Sequence, residues 1–127
     1  MKLRNTGWIL FLTAACSAEG AWTGTCAIDD FLGAPIEVVL ELDVDLQGGE
    51  ATGTGFVDVE GASVDGTVSG TQAGGEIDWA VTVVGPAGGT YTVAELTGRV
   101  GAGGVRGTCR IQSTPDDWYE GTLRLQR

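Results

Sequence analysis

The chain has 127 residues, enough for one small domain, and carries 17 acidic against seven basic residues for a formal net charge of −10. That balance argues against a nucleic-acid partner, whose phosphates a binding surface meets with lysine and arginine. With no histidine, and only Ser63, Ser69 and Ser113 as serines beyond residue 17, no nucleophile with base and orienting group suggests itself, so the chain reads as non-enzymatic and needing no cofactor. Carboxylates are plentiful enough for a paired-acid hydrolase, but most alternate onto solvent faces.

Lys2 and Arg4 precede an apolar run, Trp8-Ile9-Leu10-Phe11-Leu12, which passes into Thr13-Ala14-Ala15-Cys16. Leu12 to Cys16 resembles the lipobox of bacterial lipoproteins, with Thr13 where that motif most often has leucine. The resemblance implies a signal peptide over 1–15, lipidation of Cys16, a short tether over 16–19 and one domain over 20–127. Ordinary secretory cleavage nearby, such as after Ala18, is the alternative. The apolar stretch from Gly7 to Ala15 is far shorter than the ~20 residues that cross a bilayer. Ser17 stands where enteric lipoproteins retained in the inner membrane carry aspartate, so the expected address is the outer membrane. The mature chain would keep Arg99, Arg106, Arg110, Arg124 and Arg127 against all 17 acids, a net charge of −12. An anionic bilayer repels most of such a domain, which makes the lipid its means of attachment.

From Gly20 onward, period-two alternation recurs between glycine-rich turns, which marks an all-β domain. Strands are expected at about 20–28, 36–46, 50–60, 62–71, 75–85, 89–98, 103–112 and 117–126. The second shows the pattern most plainly. Ile36, Val38, Leu40, Leu42, Val44 and Leu46 fall on one face, and Glu37, Val39, Glu41, Asp43 and Asp45 on the other. Gln47-Gly48-Gly49 then turns the chain so that Val44 pairs with Gly53, Leu42 with Gly55, Leu40 with Val57 and Val38 with Val59, large residues facing small ones. Short connections make a meander the simplest path. Eight such strands close into an antiparallel up-and-down β-barrel with no free edge, a β-sandwich being the alternative.

Cys26 and Cys109 are an even pair in an exported domain and are expected to form a disulfide. Alternation turns both inward, and pairing Cys109 with Gly121 and Arg110 with Glu120 clears space beside the sulfur. A barrel nevertheless places the last strand between theirs, separating the two backbones by roughly 9 Å from the ~4.8 Å strand spacing. A disulfide wants Cα atoms within ~7 Å. The sheet must therefore be bent or squeezed at Gly121, or the strand order must differ.

Gly20-Ala21-Trp22 at the start of the first strand, followed by seven more short strands, resembles the Gly-x-Trp opening of the calycin barrels, the lipocalins and avidins. That resemblance implies a small apolar ligand inside the barrel, with Trp22, Trp79 and Tyr119 as the candidate lining. A second reading sets the acidic outer face against a cationic protein, as an accessory or inhibitor lipoprotein similar in kind to the small barrel lipoproteins that inhibit lysozyme. Val39 and Phe56 form a small apolar patch on that face. Pro115-Asp116-Asp117-Trp118-Tyr119 combines carboxylates and aromatics of the kind that hold a sugar or cation, but the stronger reading is structural: Pro-Asp-Asp makes the last turn, Tyr119 enters the core and Trp118 covers the rim. Asp29-Asp30 and Asp43 with Asp45 lack the spaced oxygen ligands of a calcium loop, and no metal is expected.

Overall fold

The structure, a computed structural model, describes residues 17–114 and 116–127, so Cys16, the signal segment and Pro115 lie outside it. Eight strands follow one another without a helix between them: β1 Gly20–Phe31, β2 Ala34–Gln47, β3 Glu50–Val59, β4 Ala62–Ala73, β5 Glu76–Val84, β6 Thr90–Gly101, β7 Gly104–Thr114 and β8 Asp117–Gln126. Each pairs antiparallel with the next, and β8 pairs back onto β1, closing the barrel. The sandwich alternative is therefore replaced by an up-and-down barrel.

Strict alternation sets the inside. Val38, Leu40, Leu42 and Val44 of β2 are buried while Glu37, Glu41, Asp43 and Asp45 between them are exposed. The register of β2 on β3 is the one that size matching demands, with Leu40 opposite Val57, Leu42 opposite Gly55 and Val44 opposite Gly53. The same matching recurs where Trp79 faces Gly70 and where Leu123 faces Gly107. All the fully buried side chains are apolar among the described residues. An eight-stranded barrel is just wide enough inside for side chains to fill or for one small ligand.

Several strands run longer than turn residues suggest. β1 continues past Ile28 to Phe31 through a register shift at Asp29 and Asp30, both of them exposed. A bulge accommodates an extra residue without turning the next inward side chain out, which is how two adjacent acids fit into a half-buried strand. β6 runs on to Gly101 because Gly98, Arg99, Val100 and Gly101 all find partners on β7.

Cys26 and Cys109 are joined by a disulfide with Cα atoms 6.0 Å apart, although β8 does lie between β1 and β7. Gly121 resolves the conflict. It sits opposite Cys109, and a Cβ there would stand 2.4 Å from the Ala27 carbonyl oxygen and 3.0 Å from the Cys26 sulfur. At Gly24 the approach is closer still, since a Cβ would come within 1.8 Å of the Arg124 carbonyl oxygen. These two positions without side chains let β1 and β8 draw together, and the sulfur bridge passes across the narrowed strand.

The barrel has two unlike ends. β1 begins at one, here called proximal, together with the turns at 47–50, 73–76 and 101–104 and the C-terminus. The distal end carries the turns at 31–34, 59–62, 84–90 and 114–117. Residues 17–19 are fastened to the proximal end. Ala18 is fully buried, its N–H donating to the Gln72 side-chain oxygen at 3.1 Å and its carbonyl accepting from the Trp22 indole at 2.7 Å. Arg127 lies with its guanidinium 4.2 Å above the Trp22 ring and donates to the Ser17 and Glu19 carbonyls, both at 2.5 Å. The Glu19 carboxylate in turn accepts from the Leu46 N–H at 3.2 Å.

Candidate functional site

Inside the barrel, Trp22 and Trp79 are each only 1% exposed and are part of the core itself. Along the β1–β8 seam, where Cys26 faces Leu123, Trp22 lies four residues toward the proximal end and Tyr119 four residues toward the distal one. Eight residues of strand set them roughly 27 Å apart along the seam. The three candidate lining residues therefore do not gather into one pocket. Tyr119 packs its ring against Phe31 at 4.7 Å between centroids, near the distal rim. Trp79 differs from Trp22 in one respect. Its indole N–H is the one buried side-chain polar atom without a partner among the described residues.

The remaining sequence clusters serve local structure. Thr114 donates its hydroxyl to the Asp117 carboxylate at 3.1 Å across the last turn, and Trp118 lies beneath the Arg110 guanidinium at 4.6 Å. Asp30 accepts the Gly33 N–H at 2.8 Å and so shapes the first hairpin. Among the described residues, no three histidine, cysteine, aspartate or glutamate side chains converge as metal ligands do.

The outer wall is where polar chemistry is concentrated, and it is divided. β1 to β5 carry no positive side chain at all. Within that region, Glu41 of β2 stands directly opposite Phe56 of β3, which stands opposite Asp65 of β4. The half-buried phenyl ring thus sits between two exposed carboxylates. Thr23, Asp43 and Thr54 complete an open groove of about 440 Å³ around it. A carboxylate pair beside an aromatic ring suits an ammonium or guanidinium group, which gains from the charges and from the ring face together. Alternation alone turns Phe56 outward. Its acidic neighbours become apparent only once β2, β3 and β4 are in register.

The other part of the wall, β6 to β8, holds Arg99, Arg106, Arg110 and Arg124. Arg99 pairs with Glu76 at 2.6 Å and Arg110 with Glu95 at 3.0 Å. Both pairs are largely solvated, and ion pairs of that kind contribute little to stability. A larger open groove, about 710 Å³, crosses this flank between Asp78, Thr97, Thr108, Arg110 and Glu120. No family model matches the chain, and no match was found among curated proteins or solved structures.

Proposed function

We propose that this is an exported lipoprotein, attached through a lipid on Cys16 to the outer membrane, that works without catalysis as an accessory or inhibitor protein by holding a cationic protein partner against its acidic wall. The observation that carries the partner reading is the row Glu41, Phe56, Asp65, a phenyl ring between two carboxylates in a wall free of positive side chains from β1 to β5. Electrostatic attraction brings the partner in quickly, and an aromatic anchor at the centre of a contact supplies specificity. The anchor reading rests on the lipobox-like run ending at Cys16.

Titration with lysozyme as a basic probe tests the partner reading. Binding that weakens as salt rises, and that drops at least tenfold in Phe56→Ser and in the double variant E41Q/D65N, supports it. Binding that is absent, or indifferent to these changes, defeats it. The mass of the mature N-terminal peptide tests the anchor, since a diacylglyceryl group on Cys16 is required.

A second reading, a small apolar ligand held inside the barrel, is favoured by the unpartnered Trp79 N–H. A buried donor without an acceptor costs about 1–3 kcal/mol, and a ligand carbonyl or ether oxygen would remove that cost. Native mass spectrometry of gently purified protein tests it: a retained small molecule that leaves on denaturation supports the reading, and a bare protein mass removes it.

A further inference from the structure

Three features meet at the proximal end on the β6–β8 side. Arg99 of β6 stands directly opposite Arg106 of β7, and Arg106 directly opposite Arg124 of β8. All three are outward and exposed, so three guanidinium groups lie in a row on adjacent strands with ~4.8 Å between neighbouring backbones. Like charges facing each other across a ladder are destabilising. Arg99 has Glu76 beside it, but Arg106 and Arg124 have no carboxylate within ion-pair distance among the described residues. The only concentrated positive charge of a strongly acidic domain thus stands partly uncompensated.

The row is also placed at a particular height. Arg99 and Arg106 each lie two residues from the ends of the β6–β7 turn, and Arg124 three from the C-terminus. Two residues of strand span about 7 Å, within reach of an extended arginine side chain. The turn itself, Gly101-Ala102-Gly103-Gly104, has no side chain larger than a methyl group, so nothing there holds a flat surface away from the arginines. The third feature is the clasp. Ser17, the residue next in sequence to Cys16, is bonded to Arg127 at this same end, so its position relative to the row is fixed by the fold.

We propose that the proximal β6–β8 flank is the face on which the domain rests against an anionic phospholipid bilayer, with Arg99, Arg106 and Arg124 bound to headgroup phosphates. Guanidinium groups meet phosphate oxygens in paired hydrogen bonds, and a row of three spans more than one headgroup. The acidic wall around Phe56 then stands clear of the lipid and open to a protein. This placement rests on the lipoprotein reading, but the binding chemistry does not.

The chain from Ser17 to Arg127 holds the whole ladder, core and disulfide, and flotation of this soluble form with vesicles tests the flank directly. Phosphatidylcholine vesicles with phosphatidylglycerol should carry the protein upward at low salt, and phosphatidylcholine alone should not. Each arginine removed should weaken the association about fivefold, so that R106Q/R124Q loses about 25-fold, while Arg110→Gln, which alters an ion-paired arginine farther from the rim, floats as the parent does. Failure of the parent to float with phosphatidylglycerol, or equal flotation of the double variant, overturns the proposal. The mass of Cys16 separates the two ideas: lipidated Cys16 without arginine-dependent flotation removes the flank alone, and arginine-dependent flotation with unmodified Cys16 removes the anchor alone.

Discussion

The β2–β4 wall and the β6–β8 flank share one backbone design and have opposite outer chemistry. Both bury alternate apolar residues and face large against small, as Leu42 does with Gly55 and Leu123 with Gly107. Outside, one presents Glu41, Phe56 and Asp65 with no cation nearby, and the other presents the arginine row. Period-two alternation decouples the two faces of a strand, so the inner face specifies the barrel while the outer face is free to carry charge of either sign. Stability is unequally distributed as well. The disulfide and the Arg127 contacts lie where β7, β8 and β1 meet, whereas the β2–β4 wall has only its ladder, its core and two bonds to residues 18 and 19, from Gln72 and Leu46; close-packed glycines occur in both regions, as at Gly24 and Gly53.

The largest test of that inequality is removal of the bridge. C26S/C109S should cost about 4 kcal/mol, because the bond joins residues 83 apart in sequence. Chemical denaturation reads the loss, and hydrogen exchange should show β7, β8 and β1 opening first. Uniform opening would mean that the two regions are equally held. Next, Trp79→Ala should cost about 3–5 kcal/mol by emptying the core that both regions share, and exchange should rise on both sides alike. Gly24→Ala should cost about 1–3 kcal/mol, since a methyl group there must push β1 away from the Arg124 carbonyl. Its thermal midpoint should fall while a matching change at exposed Gly89, where a Cβ meets nothing within 4 Å and the backbone has no positive φ, disturbs only the local turn. The smallest effect belongs to Arg127→Ala, which removes two hydrogen bonds from an exposed guanidinium and should cost about 1 kcal/mol. Its sharper signature is local: faster exchange at Ala18 and Glu19 and a changed Trp22 fluorescence.

Much of this was legible along the chain. Six alternating apolar residues from Ile36 to Leu46, a glycine turn and the glycines at 53 and 55 are enough to set strand, hairpin and register together. The pairing of Cys109 with Gly121 and Arg110 with Glu120 was legible for the same reason, and Gly121 was the right place to look for the squeeze. The clasp was not. Its partners lie 54 and 110 residues from Ala18 and Ser17, and each bond has a backbone group at one end, which carries no mark in a sequence. Nor was the separation of Trp22 from Tyr119, because a strand's face can be read from alternation but its height on the barrel requires the closing register as well. The arginine row needed two successive hairpin registers, and only their combination places Arg99, Arg106 and Arg124 side by side.

The seam that closes the barrel pairs Thr23 with Gln126, the two extremes of the domain. Every other ladder joins neighbours along the chain and forms across a short turn, but this one has to gather a loop of about a hundred residues, the costliest closure in the molecule. The ring therefore shuts only after the final strand has been made and delivered. A chain caught before that moment, or trimmed of its last ten residues, would show the bare sides of β1 and β7, two ready templates for another chain. The finished molecule has none, so its safety from aggregation is a matter of timing: it depends on how quickly the last strand arrives.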